Sequence, residues 1–448
     1  MENNRESFKS KFGVIAAAAG SAIGLGNIYR FPCVVGENGG SAFFIIYLII
    51  VLFLGLPLIV SEFVIGRRAQ KSPVGAFKKL APDKKGWSLI GYIGVIGAFL
   101  ILSFYTTVAA WTLDSVYRAL TNAYDGKDLA TIQTDFNGLL NNTWRTIIFE
   151  AIFLFITAYI IIRGIEKGIE KYSKILMPVL FVILIVLCVK SVTLPGAGDG
   201  LSFFLKPDFS KITGRVIVQA LGQAFFSLSI GMGVLITYGS YIAKNDNLAS
   251  SSLMVALFDT LIATLAGIII FPAAFSFGIK PEAGASLAFT TLPMIFQQMN
   301  GGYFFCLIFF ILLAIAALTS SISLLEAPVA YFKDELKMSR KKATIITAVL
   351  VFGLCIISGL SLQDDSPLKL FGMSIFNALD AFTANILMTV GGLLTVIFLG
   401  WKVRKSDFDD EFTNGGSVNM KLKNIFYFII KFIAPLAIAT ILVSQLLK

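Results

Sequence analysis

A few polar residues lie inside long apolar runs, and these are the groups that could do chemistry. Asp259 lies well inside the uncharged run 249–278, in the segment Phe258-Asp259-Thr260. An ionised side chain at the centre of a membrane costs about 2.5–3.5 kcal/mol or more, so its presence indicates function by default. A carboxylate there could bind a cation. The alternative is a structural acid paired with a neighbouring lysine.

Three hydroxyl side chains form a second candidate group, at Thr319, Ser320 and Ser321 in the run 301–332. Oxygen donors of this kind suit a hard cation. They could equally bond to carbonyls four residues earlier in their own helix, which would give them no further role. The sequence leaves both readings open.

Four more ionisable residues lie in or near apolar runs. Arg30 and Asp380 are each near one end of a run and have opposite charge, which suits a gate pair across a vestibule. Glu150 and Glu326 are also inside runs, and the sequence assigns neither of them a role.

Two apolar runs contain a G-x-G near their middle, beside small polar residues. These are Gly24-Leu25-Gly26 and Gly231-Met232-Gly233. Glycine costs up to about 1 kcal/mol relative to alanine inside a helix. The pairs therefore predict unwound backbone, which is tolerated at membrane depth only where it faces protein or a cavity. Freed carbonyls could hold a cation and freed amides a carboxylate. The alternative is that these glycines are close-packing notches between helices.

Composition excludes most other chemistry. The 448 residues include no histidine, which removes serine-type triads and most zinc sites. The four cysteines, Cys33, Cys188, Cys306 and Cys355, are far apart and have no metal or disulfide spacing. An enzyme would need a nucleophile beside a base. A channel would need a continuous polar path. The sequence favours neither.

The elements that must position these residues are membrane helices. Apolar types make up 56% of the chain and charged types 14%, against about 25% charged in soluble domains. About 20 apolar residues span a bilayer. On this basis the sequence predicts eleven spans, at 12–36, 41–66, 87–117, 146–163, 173–191, 214–243, 249–278, 301–332, 343–360, 371–401 and 424–446.

Basic residues predict the orientation of these spans. The connections 67–86, 163–174 and 333–342 are rich in Lys and Arg, whereas 118–145, 192–213, 279–300 and 361–370 are poor in them or balanced by Asp. The rule that cytoplasmic loops are basic then places the N-terminus in the cytoplasm and the C-terminus outside. The net charge of +10 is thus a topology signal, and we expect no nucleic-acid binding.

The two interrupted runs are the first and the sixth spans. Spans 1–5 (residues 1–191) and spans 6–10 (residues 192–403) are then two five-helix units of opposite topology, followed by a loop and an eleventh span (404–448). Such a 5+5 inverted repeat is typical of secondary transporters. We therefore predict an all-α polytopic membrane protein with unwound helices 1 and 6.

The chain resembles the bacterial branch of the neurotransmitter:sodium symporter family over nearly its whole length, and hence the leucine-transporter fold. Four blocks carry the resemblance: Gly24-Leu25-Gly26-Asn27-Ile28-Tyr29-Arg30-Phe31-Pro32 with Glu37-Asn38-Gly39-Gly40, Gly222-Gln223-Ala224-Phe225-Phe226-Ser227-Leu228-Ser229, Leu318-Thr319-Ser320-Ser321 and Asp334-Glu335-Leu336. The four blocks together, in order, are far more specific than a lone G-x-G.

The resemblance implies two sodium sites. The first would use oxygens of Ala22, Asn27, Ser227 and Asp259, with the substrate carboxylate as a further ligand. The second would use oxygens of Gly20, Ile23, Ala316, Thr319 and Ser320. The family often has a neutral Asn where Asp259 stands, and some members have a chloride site or an acid one turn later, where this chain has Ala263. We therefore expect no chloride requirement.

The resemblance also implies a substrate pocket. Its residues would be Ser21, Ala22, Leu25, Gly26, Ile101, Tyr105, Phe226, Ser227, Ser229, Met232, Ser320 and Leu324. Family members that carry monoamines resemble one another in having Asp at the position of Gly24. Glycine at this position indicates a zwitterionic amino acid, and the adaptable Met232 favours a large apolar or aromatic side chain.

Two gates follow from the same resemblance. Arg30, Asp380 and Gln223 would close the outer side, above Tyr105 and Phe226. Arg5 and Asp334 would close the inner side, supported by Tyr241 and Phe8, where the family more often has Trp.

The expected activity is sodium-coupled amino-acid import across the plasma membrane by alternating access. A non-transporting sensor or a channel of the same fold is the alternative. The sequence does not give the oligomeric state.

Overall fold

The computed structural model of the protein describes residues 5–278, 287–418 and 421–446. Apart from one short hairpin, the secondary structure in this part of the chain is helical. The α-helices are α1 (Lys11–Ala22), α2 (Phe31–Glu37), α3 (Ser41–Ile50), α4 (Leu56–Ala69), α5 (Pro73–Leu80), α6 (Ser88–Leu120), α7 (Leu129–Leu140), α8 (Thr143–Ile162), α9 (Lys171–Val192), α10 (Ala197–Leu205), α11 (Gly214–Ser227), α12 (Val234–Gly239), α13 (Leu248–Ser276), α14 (Leu292–Gln297), α15 (Gly302–Glu335), α16 (Arg340–Leu360), α17 (Ile375–Phe382), α18 (Met388–Ile397), α19 (Lys405–Phe412), α20 (Lys423–Phe428) and α21 (Ala434–Leu446).

Shorter helical turns extend or join these helices. Turns of π-helix are at Gly26–Arg30, Val51–Gly55, Ile165–Glu170, Leu287–Thr291, Thr383–Leu387, Phe398–Lys402 and Ile429–Ile433, and 3₁₀ turns are at Lys85–Trp87 and Phe209–Lys211. One antiparallel hairpin pairs β1 (Lys369–Leu370) with β2 (Met373–Ser374). Its turn residues Phe371 and Gly372 both have positive φ. The hairpin occupies the start of the predicted tenth span, so that helix begins at Ile375 instead of residue 371.

Nine helical runs in the described residues are long and apolar enough to cross a membrane, and α1 with Gly26–Glu37 forms a tenth span bent by 48°. Their bounds agree with the predicted spans to within a few residues at most ends. The sixth predicted span, 214–243, is divided between α11 and α12, each of which is too short to cross alone. The structure is therefore consistent with eleven spans, and that number itself stays a prediction. The predicted connection 279–300 lies partly outside the described residues.

The predicted connection 163–174 is wrong over most of its length. Residues Ile165–Glu170 form a π-helical turn that continues into α9, so the fifth helix begins eight residues before the predicted start at residue 173. The charged residues in this segment indicated a loop. Glu170 is nevertheless buried, because groups of the N-terminal segment and Lys174 surround its carboxylate.

The interior of the protein is built around two long helices, α6 and α15, which pack against each other. The first helix, α1, contacts α9, α13 and α15, and α12 contacts α4. These contacts bring the two interrupted spans to the centre of the protein, where α6, α13 and α15 supply the remaining walls.

Candidate functional site

Both predicted helix breaks are present. The first span stops being α-helical after Ala22 and resumes as a π-helical turn at Gly26. The sixth is non-helical between α11 and α12, where Ser229, Gly231 and Gly233 have φ of 55°, 81° and 67°. Positive φ favours glycine because a side chain crowds the backbone there.

The same glycines also allow close packing between helices, which was the alternative interpretation of these residues. A Cβ on Gly231 would overlap the carbonyl oxygen of Met388, and one on Gly24 would overlap Ser320 Oγ and approach Tyr105 Oη to 2.8 Å. These positions therefore allow both an unwound backbone and close packing.

Asp259 lies directly beside the two breaks. Its Oδ1 accepts hydrogen bonds from Asn27 Nδ2 and from Ser227 Oγ, each at 2.7 Å. Tyr47 Oη donates to Asp259 Oδ2 at 2.9 Å. All four side chains are buried. Because its partners are an amide and two hydroxyls, Asp259 is not the lysine-paired structural acid of the alternative interpretation.

This cluster can coordinate a hard cation. It offers a carboxylate, a hydroxyl and an amide. The carbonyl oxygen of Ala22 is a further candidate ligand, because it lies at the end of α1, where the last carbonyls have no N–H partner within the helix. The Asn27 side chain presents its nitrogen to Asp259, while its Oδ1 accepts from Gly24 N–H at 3.1 Å. A bound cation would require that amide to turn its oxygen toward Asp259. One carboxylate among neutral oxygens suits a monovalent ion, since divalent sites usually gather several carboxylates.

A second group of oxygens joins the first span to α15. Thr319 Oγ1 lies 3.3 Å from the carbonyl oxygen of Ile23 and 3.0 Å from that of Ala316. Ser320 Oγ lies 3.3 Å from the same Ile23 oxygen. Gly20 faces this point, because a Cβ there would lie 3.4 Å from the Thr319 Cβ.

These hydroxyls were expected either to bind a cation or to bond to carbonyls of their own helix, and the structure has features of both. Thr319 Oγ1 is also 3.2 Å from the Ile315 carbonyl four residues earlier, as a back-bonded hydroxyl would be. Both side chains also reach across to the first span, Thr319 to Ile23 and Ser320 to Ser21 and Ile23. The group is therefore an interhelical contact, built from oxygens that a cation can use.

A small cavity lies between the breaks. Its lining residues are Ser21, Ala22, Gly24, Gly26, Ile101, Tyr105, Phe226, Ser229, Met232, Ser320 and Leu324. Of the predicted pocket residues, Leu25 and Ser227 do not line it. Leu25 lies beside the cavity and donates its backbone N–H to Tyr105 Oη at 3.1 Å. The cavity measures about 20 Å³, enough for roughly one water molecule. A larger ligand would have to spread the walls.

The outer side of this cavity is closed by a loose set of contacts. Arg30 Nη1 and Asp380 Oδ1 are 3.7 Å apart, and the Arg30 guanidinium lies 4.4 Å from the centre of the Phe226 ring. Gln223 borders the same region, but its Nε2 donates to the Gly26 carbonyl at 2.8 Å. It therefore braces the first break and makes no hydrogen bond to the Arg30–Asp380 pair.

The inner side is closed by tighter contacts. Arg5 Nη1 is 2.6 Å from Asp334 Oδ2, and Arg5 Nε donates to Ser240 Oγ at 3.0 Å. The Arg5 guanidinium also lies 4.8 Å from the centre of the Tyr241 ring. The backbone N–H of Phe8 donates to the Tyr241 carbonyl, so the N-terminal segment is fixed to the end of the sixth span.

Wider cavities lie beyond each gate. The outer one measures about 500 Å³ and includes Trp111 and Phe376 in its wall. The inner one measures about 710 Å³ and includes Arg163 and Arg340. The central cavity thus lies between two larger spaces, and each is separated from it by a closed gate.

Several residues of this region are not among the predicted site residues. Tyr47 completes the shell of Asp259, and Glu62 Oε1 accepts the Gly231 N–H at 2.7 Å, which stabilises the second break. Glu62 carried a usable signal, an acid inside an apolar run. Glu326, which had no assigned role, accepts from Tyr241 Oη at 2.6 Å and pairs with Arg340 at 2.8 Å.

Glu150 lies away from the site. It is buried and accepts from Thr107 Oγ1 at 2.8 Å.

Two interrupted helices around a buried oxygen-lined centre, with a gate on each side, define a secondary transporter. Residues 5–128 and 126–448 match the Sodium:neurotransmitter symporter family. The chain belongs to this family, as its sequence motifs predicted, and the family is one of membrane transporters rather than enzymes.

Relatives of known sequence or structure agree with this assignment. The uncharacterised sodium-dependent transporter YhdH of Bacillus subtilis (strain 168) is 39% identical over 435 residues, which cover 97% of this chain and 96% of that one. An uncharacterised sodium-dependent transporter of Haemophilus influenzae is 37% identical over 454 residues, covering 99% and 98% of the two chains. The crystal structure of MhsT in complex with L-phenylalanine has a TM-score of 0.92 and 41% identity, covering 99% of this chain and 100% of that chain. The predicted polytopic, all-α fold class is confirmed.

Proposed function

We propose that this protein imports a zwitterionic amino acid with a hydrophobic or aromatic side chain, together with sodium, by alternating access. The observation that carries the proposal is the meeting of two helix breaks at a closed cavity beside the Asp259 cluster. The similarity to MhsT, whose structure contains L-phenylalanine, supports an amino-acid substrate.

The polar end of the cavity suits a substrate with both an ammonium and a carboxylate. The Leu25 and Gly26 amides and the Tyr105 hydroxyl would bind the carboxylate, as amides at a helix start bind anions. Carbonyls at the breaks, with Ser21 and Ser229 nearby, would accept from the ammonium. Gly24 leaves no room for an acidic side chain that could replace the substrate carboxylate.

The opposite wall selects the substrate side chain. It consists of Ile101, Phe226, Met232 and Leu324. These residues favour an apolar side chain because burying apolar surface contributes about 25 cal/mol per Å². Met232 can adjust its shape to ligands of different size.

Two sodium ions are the proposed co-substrates. The first would bind at Ala22, Asn27, Ser227 and Asp259 and share its charge with the substrate carboxylate. Each would then raise the affinity of the other by the same factor. The second would bind at Gly20, Ile23, Ala316, Thr319 and Ser320 and hold the first span to α15.

Chloride is not part of the proposed cycle. Asp259 already places a negative group at the first site, in contact with Tyr47 and Ser227. The substrate carboxylate would supply a second negative charge, so the first sodium ion would need no chloride to balance its charge.

We propose the plasma membrane as the location of the protein. Contacts among the basic connections support the orientation with a cytoplasmic N-terminus and an extracytoplasmic C-terminus. Glu6 pairs with Lys333 and Arg340, and Lys9 pairs with Glu166. The N-terminal segment and two of the basic connections therefore lie on one side. A potential of 100 mV then supplies about 2.3 kcal/mol for each charge moved inward.

The chain would consist of two five-helix repeats, residues 1–191 and 192–403, each beginning with an interrupted span, with 404–448 as an accessory segment. In the cycle, the first and sixth spans would rock against the other helices, opening the outer and the inner cavity in turn.

Uptake of labelled amino acids into proteoliposomes tests this function. Accumulation should require a sodium gradient and fall at least tenfold when potassium or choline replaces sodium, and chloride removal should leave it unchanged. Accumulation that persists without sodium would overturn the coupling. Binding without flux would instead indicate the sensor alternative.

Two substitutions sharpen the test. Asp259→Ala should abolish uptake, whereas Asp83→Ala, at a carboxylate 74% exposed on the surface, should not. Met232→Phe should shift competition toward smaller side chains. An unchanged competition profile would contradict the assignment of Met232 to the pocket wall.

A further inference from the structure

A buried carboxylate on the fifth helix holds the start of the first. Glu170 Oε2 accepts the backbone N–H of Lys9 at 2.8 Å, and Glu170 Oε1 accepts the hydroxyl of Ser10 at 2.9 Å. The Lys174 ammonium lies 2.5 Å from the same Oε1. Only 2% of Glu170 is exposed. Hydrogen bonds to an ionised group are about twice as strong as neutral ones, so Glu170 holds the residues just before α1 more firmly than a neutral acceptor would.

Gly13 allows this approach. A Cβ added to Gly13 would overlap the carboxyl group of Glu170. Glycine weakens a helix relative to alanine, so its place in the first turn of α1 is a local disadvantage. The close approach of the Glu170 carboxyl group accounts for it.

A neighbouring acid provides the contrast. Glu166 lies four residues earlier in the same π-helical turn and pairs with the Lys9 ammonium at 2.6 Å. Its side chain is 45% exposed and that of Lys9 is 69% exposed. An ion pair of this kind contributes little, typically less than about 1 kcal/mol. Two carboxylates on one element therefore contact the same segment with very different strength.

We propose that Glu170 is a second fastener of the inner gate, a positioning residue that holds α1 on α9 until the inside opens. This inference rests on the proposed function, in which the first span moves away from the fifth. The Arg5–Asp334 pair fastens the N-terminal segment to the end of α15, whereas Glu170 fastens it, four to five residues later, to the start of the fifth helix. Opening inward must break both contacts.

Lys174 limits the free-energy cost of separating α1 from Glu170. A buried carboxylate that loses all its partners is strongly unfavourable. Glu170 keeps Lys174, one turn along the same helix, when α1 departs. The fastener can therefore release and close again repeatedly.

Thiol labelling at the contact between the helices tests the proposal. Ser173 is buried on α9, about one turn beyond Glu170 and on the same face. The four native cysteines are all buried, so Ser173→Cys gives a reporter with little background. In sodium-free buffer, Glu170→Gln should speed labelling by a water-soluble maleimide about tenfold, while Glu166→Gln should stay within about twofold.

Gly13→Ala is an independent variant. Alanine strengthens the helix but displaces the Glu170 carboxylate, so labelling should also accelerate. The proposal is overturned if Glu170→Gln and Gly13→Ala both label at the parent rate while Arg5→Ala labels faster in the same assay. These rates are compared without sodium, so they do not depend on coupling. Failure of the proposed function would appear separately, as parent uptake that ignores sodium.

Saturating sodium separates positioning from simple destabilisation. It should favour the closed inner side and return the labelling of Glu170→Gln to near the parent rate. If sodium slows labelling of the parent but not of Glu170→Gln, then Glu170 only maintains the fold, and the fastener role is wrong.

Discussion

The inner and outer closures of the central cavity differ in strength. On the outer side, the Arg30–Asp380 pair spans 3.7 Å, and its side chains are 31% and 39% exposed. On the inner side, the Arg5–Asp334 pair spans 2.6 Å with exposures of 13% and 12%, and Ser240 and Tyr241 contribute further contacts to Arg5. Short, shielded ion pairs are screened by water and salt much less than exposed ones.

This difference indicates which side opens more easily from the closed state. Few contacts must break before the outer cavity and the central cavity join. The inner side must also release Phe8 from Tyr241, and Lys9 and Ser10 from Glu170. We expect the substrate-free protein to favour outward opening, and three predictions can break or sharpen this view.

The largest effect should come from the ion-pair cluster that anchors the inner face. Arg67 and Glu411 are both buried and 2.6 Å apart, and Lys244 also reaches Glu411 at 2.6 Å. Breaking a buried pair by removing one partner costs about 3 kcal/mol or more. Glu411→Gln should therefore lower the free energy of unfolding by about 3 kcal/mol, measured by thermal unfolding in detergent. Asp410→Asn, at the half-exposed neighbour, is the control and should change little.

The same variant has a pH signature. Burial alone would raise the pKa of Glu411, but Lys244 and Arg67 hold this pKa below its usual value of 4.5. A lowered pKa stabilises the fold at pH values above the usual value, and this stabilisation disappears as the pH falls through the lowered pKa. The stability difference between parent and Glu411→Gln should shrink below pH 4.5. A difference that stays constant into strong acid would contradict this account.

An intermediate effect is expected at the inner gate. Arg5→Ala removes the pair with Asp334 and the contact with Tyr241, a loss of about 2 kcal/mol or roughly thirtyfold in the open-to-closed ratio. Substrate affinity should fall and labelling from the inner side should rise. Lys11→Ala, at an exposed basic residue of the first turn, is the matched control.

The smallest effect is expected at the outer gate. Arg30→Ala removes an exposed pair and a cation–π contact with Phe226, together about 1 kcal/mol or roughly fivefold. The outer contribution should also weaken at high salt, whereas the inner one should not. Equal effects at both gates, or an equal response to salt, would show that the two closures are alike after all.

The long, uniformly apolar helices were predictable because one property, about 20 apolar residues, decides them. Both breaks were also predictable, since Gly24-Leu25-Gly26 and Gly231-Met232-Gly233 disfavour helix by themselves. The fifth helix was misjudged at its start for the opposite reason. Lys174 pairs with Glu170 from one turn along the same helix, but the other partners of this segment, Lys9 and Ser10, are far away in the sequence, and no local pattern reveals them.

The residues of the candidate site also differ in how far the sequence reveals them. Asp259, Thr319 and Ser320 stood out because polar groups are costly in apolar runs. Tyr47 gave no such signal, because a tyrosine in an apolar run is common. Glu62 carried the same signal as Asp259, but the run does not reveal that its partner is the Gly231 N–H.

The sequence by itself determined a membrane-spanning helical protein, the two places where its helices break, and the oxygen-bearing residues beside them. The reason is that helix propensity and the cost of burying polar groups act locally. Only the tertiary structure decided that Asp259 gathers Asn27, Ser227 and Tyr47, that Gln223 braces the first break, and that Glu170 holds the start of α1. These contacts join residues from distant parts of the chain, and only the packing of the whole bundle brings them within hydrogen-bonding distance.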